Sequence, residues 1–251
     1  MPRPWSLAPE PEPVFGLVTV AMAFVAMLAA VVLCGALALT FAQHVHSLSK
    51  LNTTQLSNEP WVMLPAQLAA YVILLVGLWR LFTHHFRIGF FRALGWHWPE
   101  SWPTFLCSGM LLAISVEIIS HFLPTPPELP IDKMMRGASD AWMLSVFGVL
   151  IAPFVEEVLF RGMLFPALCR RASAGVSLVA TSVLFGAVHA QQLAGAWVQV
   201  AIIVVVGMIL TAIRWRYHSL ASSTLVHVGY NGTLFVALFV QTRGFTHFPG
   251  S

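Results

Sequence analysis

The run Ala152-Pro153-Phe154-Val155-Glu156-Glu157-Val158-Leu159-Phe160-Arg161-Gly162 reads as the middle of a membrane-spanning helix, yet it carries two adjacent glutamates and an arginine. A carboxylate at bilayer depth costs roughly 2.5–3.5 kcal/mol on insertion scales, so an intramembrane pair marks a functional-site hypothesis. The whole chain holds only 10 acidic residues, and two of them stand here side by side. Successive helical residues point ~100° apart, so Glu156 and Glu157 face different neighbours. Glu157 and Arg161 lie four apart, share a face and can pair. Glu156 is left to meet something else. Pro153 removes a helical donor and is expected to release the carbonyl of Val149. Broken backbone at this depth is tolerated where it is buried or lines a water-filled cavity.

Composition agrees with a membrane setting. Of 251 residues 58% are hydrophobic and 9% charged, against about 25% charged in soluble domains; the mean hydropathy is +0.79. Residues 14–49 contain no Asp, Glu, Lys or Arg. That first apolar segment is longer than the core of a signal peptide, ~7–15 residues, and reads as a retained anchor. A net charge of +3 comes from scattered basic residues, a pattern that gives no reason to invoke nucleic acid. Cys34, Cys107 and Cys169 form no CxxC pattern and argue against a disulfide framework or a cysteine metal site.

The predicted fold class is all-α, a polytopic membrane bundle of about seven spans, six to eight by hydropathy. Spans of about 20 apolar residues fall near 14–42, 60–82, 103–123, 141–168, 174–194, 196–213 and 219–240. Four regions follow: a tail over 1–13, N-terminal spans over 14–140, a core over 141–240 and a tail over 241–251. Within the second, residues 84–102 are rich in Phe, Trp and Arg and read as an amphipathic interfacial stretch, with Trp79, Trp96, Trp98 and Trp102 as belt residues. Arg80, Arg87, Arg92, Arg170, Arg171, Arg214 and Arg216 follow the even-numbered spans, whereas Lys50, Lys133, Arg136 and Arg243 lie opposite. The positive-inside rule then puts the N-terminus in the cytoplasm.

Two later spans carry polar groups at helical spacing: Phe185 with His189, and His227 with Asn231, each four apart. A carboxylate, two imidazoles and an amide can activate water and stabilise a tetrahedral oxyanion. Glu156, His189 and His227 can equally hold a divalent metal such as zinc with an open position. Glu117 and His121 share a face of the third span and stay unassigned.

The joint pattern, Glu156-Glu157-x-x-x-Arg161, Phe185-x-x-x-His189 and His227-x-x-x-Asn231, resembles the CPBP family, the CAAX-protease and bacteriocin-processing (Abi) intramembrane peptidases. The likeness covers residues ~141–240. It implies an endopeptidase acting on a membrane-associated peptide or protein substrate, lipidated in some members. By motif position Glu156 would be the general base with His189 as partner, His227 and Asn231 would complete the site and hold the oxyanion, and Glu157 with Arg161 would brace the first motif. Phe160 and Phe185 would flank the substrate. The His-Glu-x-x-His zinc helix is absent from the sequence, which favours a metal-free glutamate mechanism.

Rival readings are a catalytically inactive family member serving as scaffold or immunity protein, and a proton-coupled transporter. The first would be favoured by a missing motif residue and the second by inverted repeats; neither is seen. Aspartyl and rhomboid-like chemistries fit poorly, since Asp132, Asp140 and the Gly137-Ala138-Ser139-Asp140 string are expected in one outer loop.

Overall fold

The computed structural model describes residues 13–45, 50–124, 134–135, 137–193 and 195–248. Among these there are helices and connecting turns but no strand. In chain order the helices are α1 (Leu17–Ala42), α2 (Thr53–Leu56), α3 (Pro60–Arg80), α4 (Phe90–Ala93), α5 (Trp102–Ser120), α6 (Ala138–Val146), α7 (Ala152–Glu157), α8 (Phe165–Cys169), α9 (Ala174–His189), α10 (Trp197–Tyr217) and α11 (Leu220–Gln241). Wider π-helical turns prolong α3 through Leu81–His85 and join α6, α7 and α8 through Phe147–Ile151 and Val158–Leu164. Among the described residues, six stretches are long and apolar enough to cross a membrane, including the continuous Ala138–Cys169. The chain is an integral membrane protein.

Without a hydrophobic drive between helices in lipid, close packing depends on small residues at the crossings. That is where this chain places them. Helix α1 buries Ala23, Ala30 and Gly35 and packs along α3, while Val18, Met22, Val25 and Leu28 point outward. Helices α5 and α11 cross backbone on backbone: a methyl at Gly109 would land on the carbonyl oxygen of Val226, and one at Gly229 on that of Leu106. Gly186 gives α9 and α10 a similar approach at Val204. The segment Ala138–Cys169 runs between these pairs and is the most buried of the six.

One end of the bundle collects the arginines. Arg170 donates to the carbonyl of Phe15 at 3.2 Å, tying the start of α1 to the end of α8. The N–H of Leu220 donates to Gly95 O at 3.0 Å, and the Ser219 hydroxyl donates to His97 O, so residues 90–98 pack on the start of α11. Arg214 lies directly behind Gly95.

Several expectations change in detail. The fifth span ends at His189 rather than near 194, leaving 16 residues, because the polar Gln191-Gln192 pair follows. Between the π-helical turn that ends at His85 and the start of α5 at Trp102, only Phe90–Ala93 is helical; Trp79, Trp98 and Trp102 are exposed as belt residues would be, but Trp96 packs on Phe154 at 5.7 Å. Ala138, Ser139 and Asp140 form the first turn of α6 instead of a loop. Asp132, Lys133, Arg136 and residues 1–12 and 249–251 of the two tails lie outside the described residues. Finally, the carbonyl released by Pro153 is that of Gly148. The turn before it runs in i→i+5 register, with Ala152 N–H bound to Phe147 O, so Pro153 fails the next bond in that series.

Candidate active site

Helix α7 presents the two glutamates one residue before the backbone widens again, and it presents them differently. Glu157 is fully buried. Its Oε1 accepts from Arg161 Nη1 at 2.9 Å and from His227 Nδ1 at 3.1 Å. Glu156 keeps its side chain 23% exposed, with Oε1 3.9 Å from His189 Nε2 and Oε2 3.7 Å from His227 Nε2. The helical step of ~100° between neighbours thus becomes a division between one enclosed carboxylate and one open one.

Arg161 is the keystone of the enclosed part. Its Nη2 donates to Gly207 O at 3.2 Å, its Nε to the Thr211 hydroxyl at 3.3 Å, and its guanidinium stacks 4.1 Å from the Phe185 ring. The Thr211 hydroxyl in turn donates to Gly207 O at 2.8 Å. Gly207 has no side chain for a reason: a methyl there would press on Phe185 and on Arg161 itself. An arginine with 0% exposure is affordable only because every face of it is met.

Hydrogen bonding sets the tautomers of both histidines. His189 Nδ1 sits 2.7 Å from the carbonyl of Phe185, which can only accept, so Nδ1 carries a proton. His227 Nδ1 donates to Glu157. Each neutral ring therefore turns an unprotonated Nε2 toward Glu156. Three acceptors facing one another at 3.7–3.9 Å require a shared hydrogen source between them, a water or a proton.

Asn231, one turn beyond His227, donates through Nδ2 to Gly148 O at 2.7 Å. It replaces the donor that Pro153 lacks, and so holds open the turn that precedes the glutamates. Phe160 and Phe185 are buried. Their rings meet each other edge-on at 5.1 Å and are spent on Phe24, Arg161 and His227, forming the wall behind the site. Glu117 on α5 and His121 just past its end are exposed and bound a shallow hollow with Ile118 and Phe122, outside this cluster. Among the described residues, no group of three or more His, Cys, Asp or Glu converges as a metal ion requires.

Sequence reasoning missed Gly207 and Thr211, which meet Arg161, although their spacing of four in an apolar span is a readable sign. It also missed Gln67 and Tyr71, a second such pair, whose side chains are hydrogen-bonded at 2.8 Å on α3.

Residues 138–233 match the family described as Type II CAAX prenyl endopeptidase Rce1-like. No curated protein and no solved structure matches the chain. The matched segment opens on the first residue of α6 and contains every one of the three motifs. Over residues 138–233 the chain is similar to the type II CAAX prenyl endopeptidases of the Rce1-like kind.

Proposed function

We propose that the chain is an intramembrane endopeptidase that hydrolyses a peptide bond of a membrane-associated substrate, with Glu156 as the base on water. The observation that carries this reading is the half-open Glu156 carboxylate between two Nε2 atoms at 3.9 and 3.7 Å. A water held there donates to the carboxylate and to an imidazole lone pair. As the water oxygen attacks the carbonyl carbon, its proton passes to Glu156. The carbonyl π electrons move to oxygen, and collapse of the tetrahedral intermediate breaks the C–N bond while the leaving amine takes the proton back.

The remaining residues serve that step. The Glu157–Arg161 pair keeps His227 Nδ1 protonated and its Nε2 free. His189 is held the same way by its own helix, through Phe185 O. Asn231 braces Gly148 and retains a second amide hydrogen for the developing oxyanion. The reaction so written uses only this chain's own groups. The arginine end of the bundle faces the cytoplasm in this reading; Ser173→Cys labelled by a membrane-impermeant maleimide added to intact cells would reverse it.

The direct test compares new peptide N-termini in membranes of cells expressing wild type or Glu156→Gln at matched levels. Gln is nearly isosteric but takes no proton, so termini present with wild type should vanish. Identical sets from the two, with the substrate-bearing strain confirmed, would overturn the reading.

A further inference from the structure

The site as described is rich in acceptors and short of donors. Both imidazole N–H groups are committed, to Phe185 O and to Glu157, and Asn231 has spent one amide hydrogen on Gly148 O. Hydrolysis of an amide nevertheless builds a negative oxygen that preorganised donors must meet.

Tyr71 stands in the right place to be one. It lies on α3, outside the matched segment, and is 5% exposed. Its ring stacks on Phe147 at 5.6 Å with planes inclined by 24°, which seats it against the first residue of the widened turn. The Gln67 amide donates to its oxygen at 2.8 Å, so in that bond the phenol accepts and its own proton remains for a second partner. Phe147 directly precedes Gly148, whose carbonyl Asn231 holds at 2.7 Å, so Tyr71 packs on the same widened turn that Asn231 braces. A tyrosine hydroxyl aligned by a glutamine and buried against the turn that precedes the glutamates is unusual for a lipid-facing helix, where a phenylalanine would pack as well.

We propose that Tyr71 is a further catalytic residue of this site, donating its phenolic hydrogen to the oxyanion formed on the substrate carbonyl. This rests on the peptidase reading above. No covalent change occurs at Tyr71: the O–H stays intact, the hydrogen bond strengthens as charge grows on the substrate oxygen, and the bond relaxes when the C–N bond breaks. Gln67 acts as a positioning residue by fixing the direction of the O–H. The N-terminal helices thereby supply part of the chemistry instead of merely anchoring the core.

The test uses the full chain. Wild type, Glu156→Gln, Tyr71→Phe and Gln67→Leu are expressed at matched levels and their new N-termini compared. Each purified protein is then assayed with a quenched-fluorescent peptide spanning the most abundant wild-type terminus. Tyr71→Phe keeps the ring and its stacking, so its melting should match wild type. Its kcat should fall about 10²-fold, the loss typical of one oxyanion donor, with KM little changed. Gln67→Leu should fall less, with the same split. If Tyr71→Phe turns over within threefold of wild type while Glu156→Gln is dead, the Tyr71 assignment is overturned and the peptidase reading stands. A change in KM alone would also overturn it, since that marks a binding or packing role. Absence of wild-type-specific termini would overturn both.

Discussion

Removing Arg161 should be one of the two costliest single truncations in the site. In Arg161→Met the Glu157 carboxylate, at 0% exposure, loses its 2.9 Å charged partner and keeps neutral donors such as His227. Gly207 O and Thr211 lose charged donors at 3.2 and 3.3 Å, although Thr211 still donates to Gly207 O. Breaking one side of a buried pair costs about 3–5 kcal/mol, because a charge is left without compensation. At about 1.4 kcal/mol per tenfold, the folded-to-unfolded ratio should drop by roughly two to three and a half decades. Glu157→Leu should cost a comparable amount by stranding the guanidinium. The double variant, with both charges gone, should recover most of the loss, since apolar replacement of a whole buried pair is often near neutral. Reversible unfolding in mixed micelles, followed by intrinsic fluorescence, gives all three values. The double variant should nonetheless stay inactive, because His227 Nδ1 has lost its acceptor. Additive losses in the double variant, or a single loss under about 1 kcal/mol, would refute the buried-pair account.

Two further outcomes are expected. Asn231→Leu leaves Gly148 O without its donor and should destabilise by about 1–3 kcal/mol, the cost of an unmet buried polar group; Asn231→Asp in protonated form should restore part of it at low pH, and equal stability of wild type and Asn231→Leu would dismiss the brace. On the metal-free mechanism proposed above, an excess of chelator should leave turnover unchanged. Loss of turnover that returns on adding zinc would instead assign Glu156, His189 and His227 as ligands.

Much of this architecture was legible because the relevant signals are local. Apolar runs and their proline punctuation locate the spans, and a spacing of four predicts the Glu157–Arg161 pair directly. The divergence of Glu156 from Glu157 follows from helical geometry alone. What was illegible depends on contacts between distant segments or on backbone register. Nothing in the letters says that Phe147–Ile151 winds in the wider register, and that single change moves the released carbonyl from Val149 to Gly148. His227 contacting both glutamates needed the actual approach of α11 to α7. That the Phe160 and Phe185 rings pack on Phe24, Arg161 and His227 depends on the approach of distant helices, which adjacency in sequence does not give.

The brevity of α9 has its own consequence. Sixteen residues rise about 24 Å, some 6 Å short of a hydrocarbon core of roughly 30 Å. Its outward face is apolar, with Val176, Val179, Val183 and Val188 exposed, so lipid must follow it. Beside so short a helix the bilayer thins or flanking groups bend inward. A deficit met at the end that carries His189, its last residue, would bring the headgroup layer nearer Glu156. The proposed hydrolysis consumes a water at each turnover, and a bilayer thinned beside α9 would shorten the path of that water to Glu156.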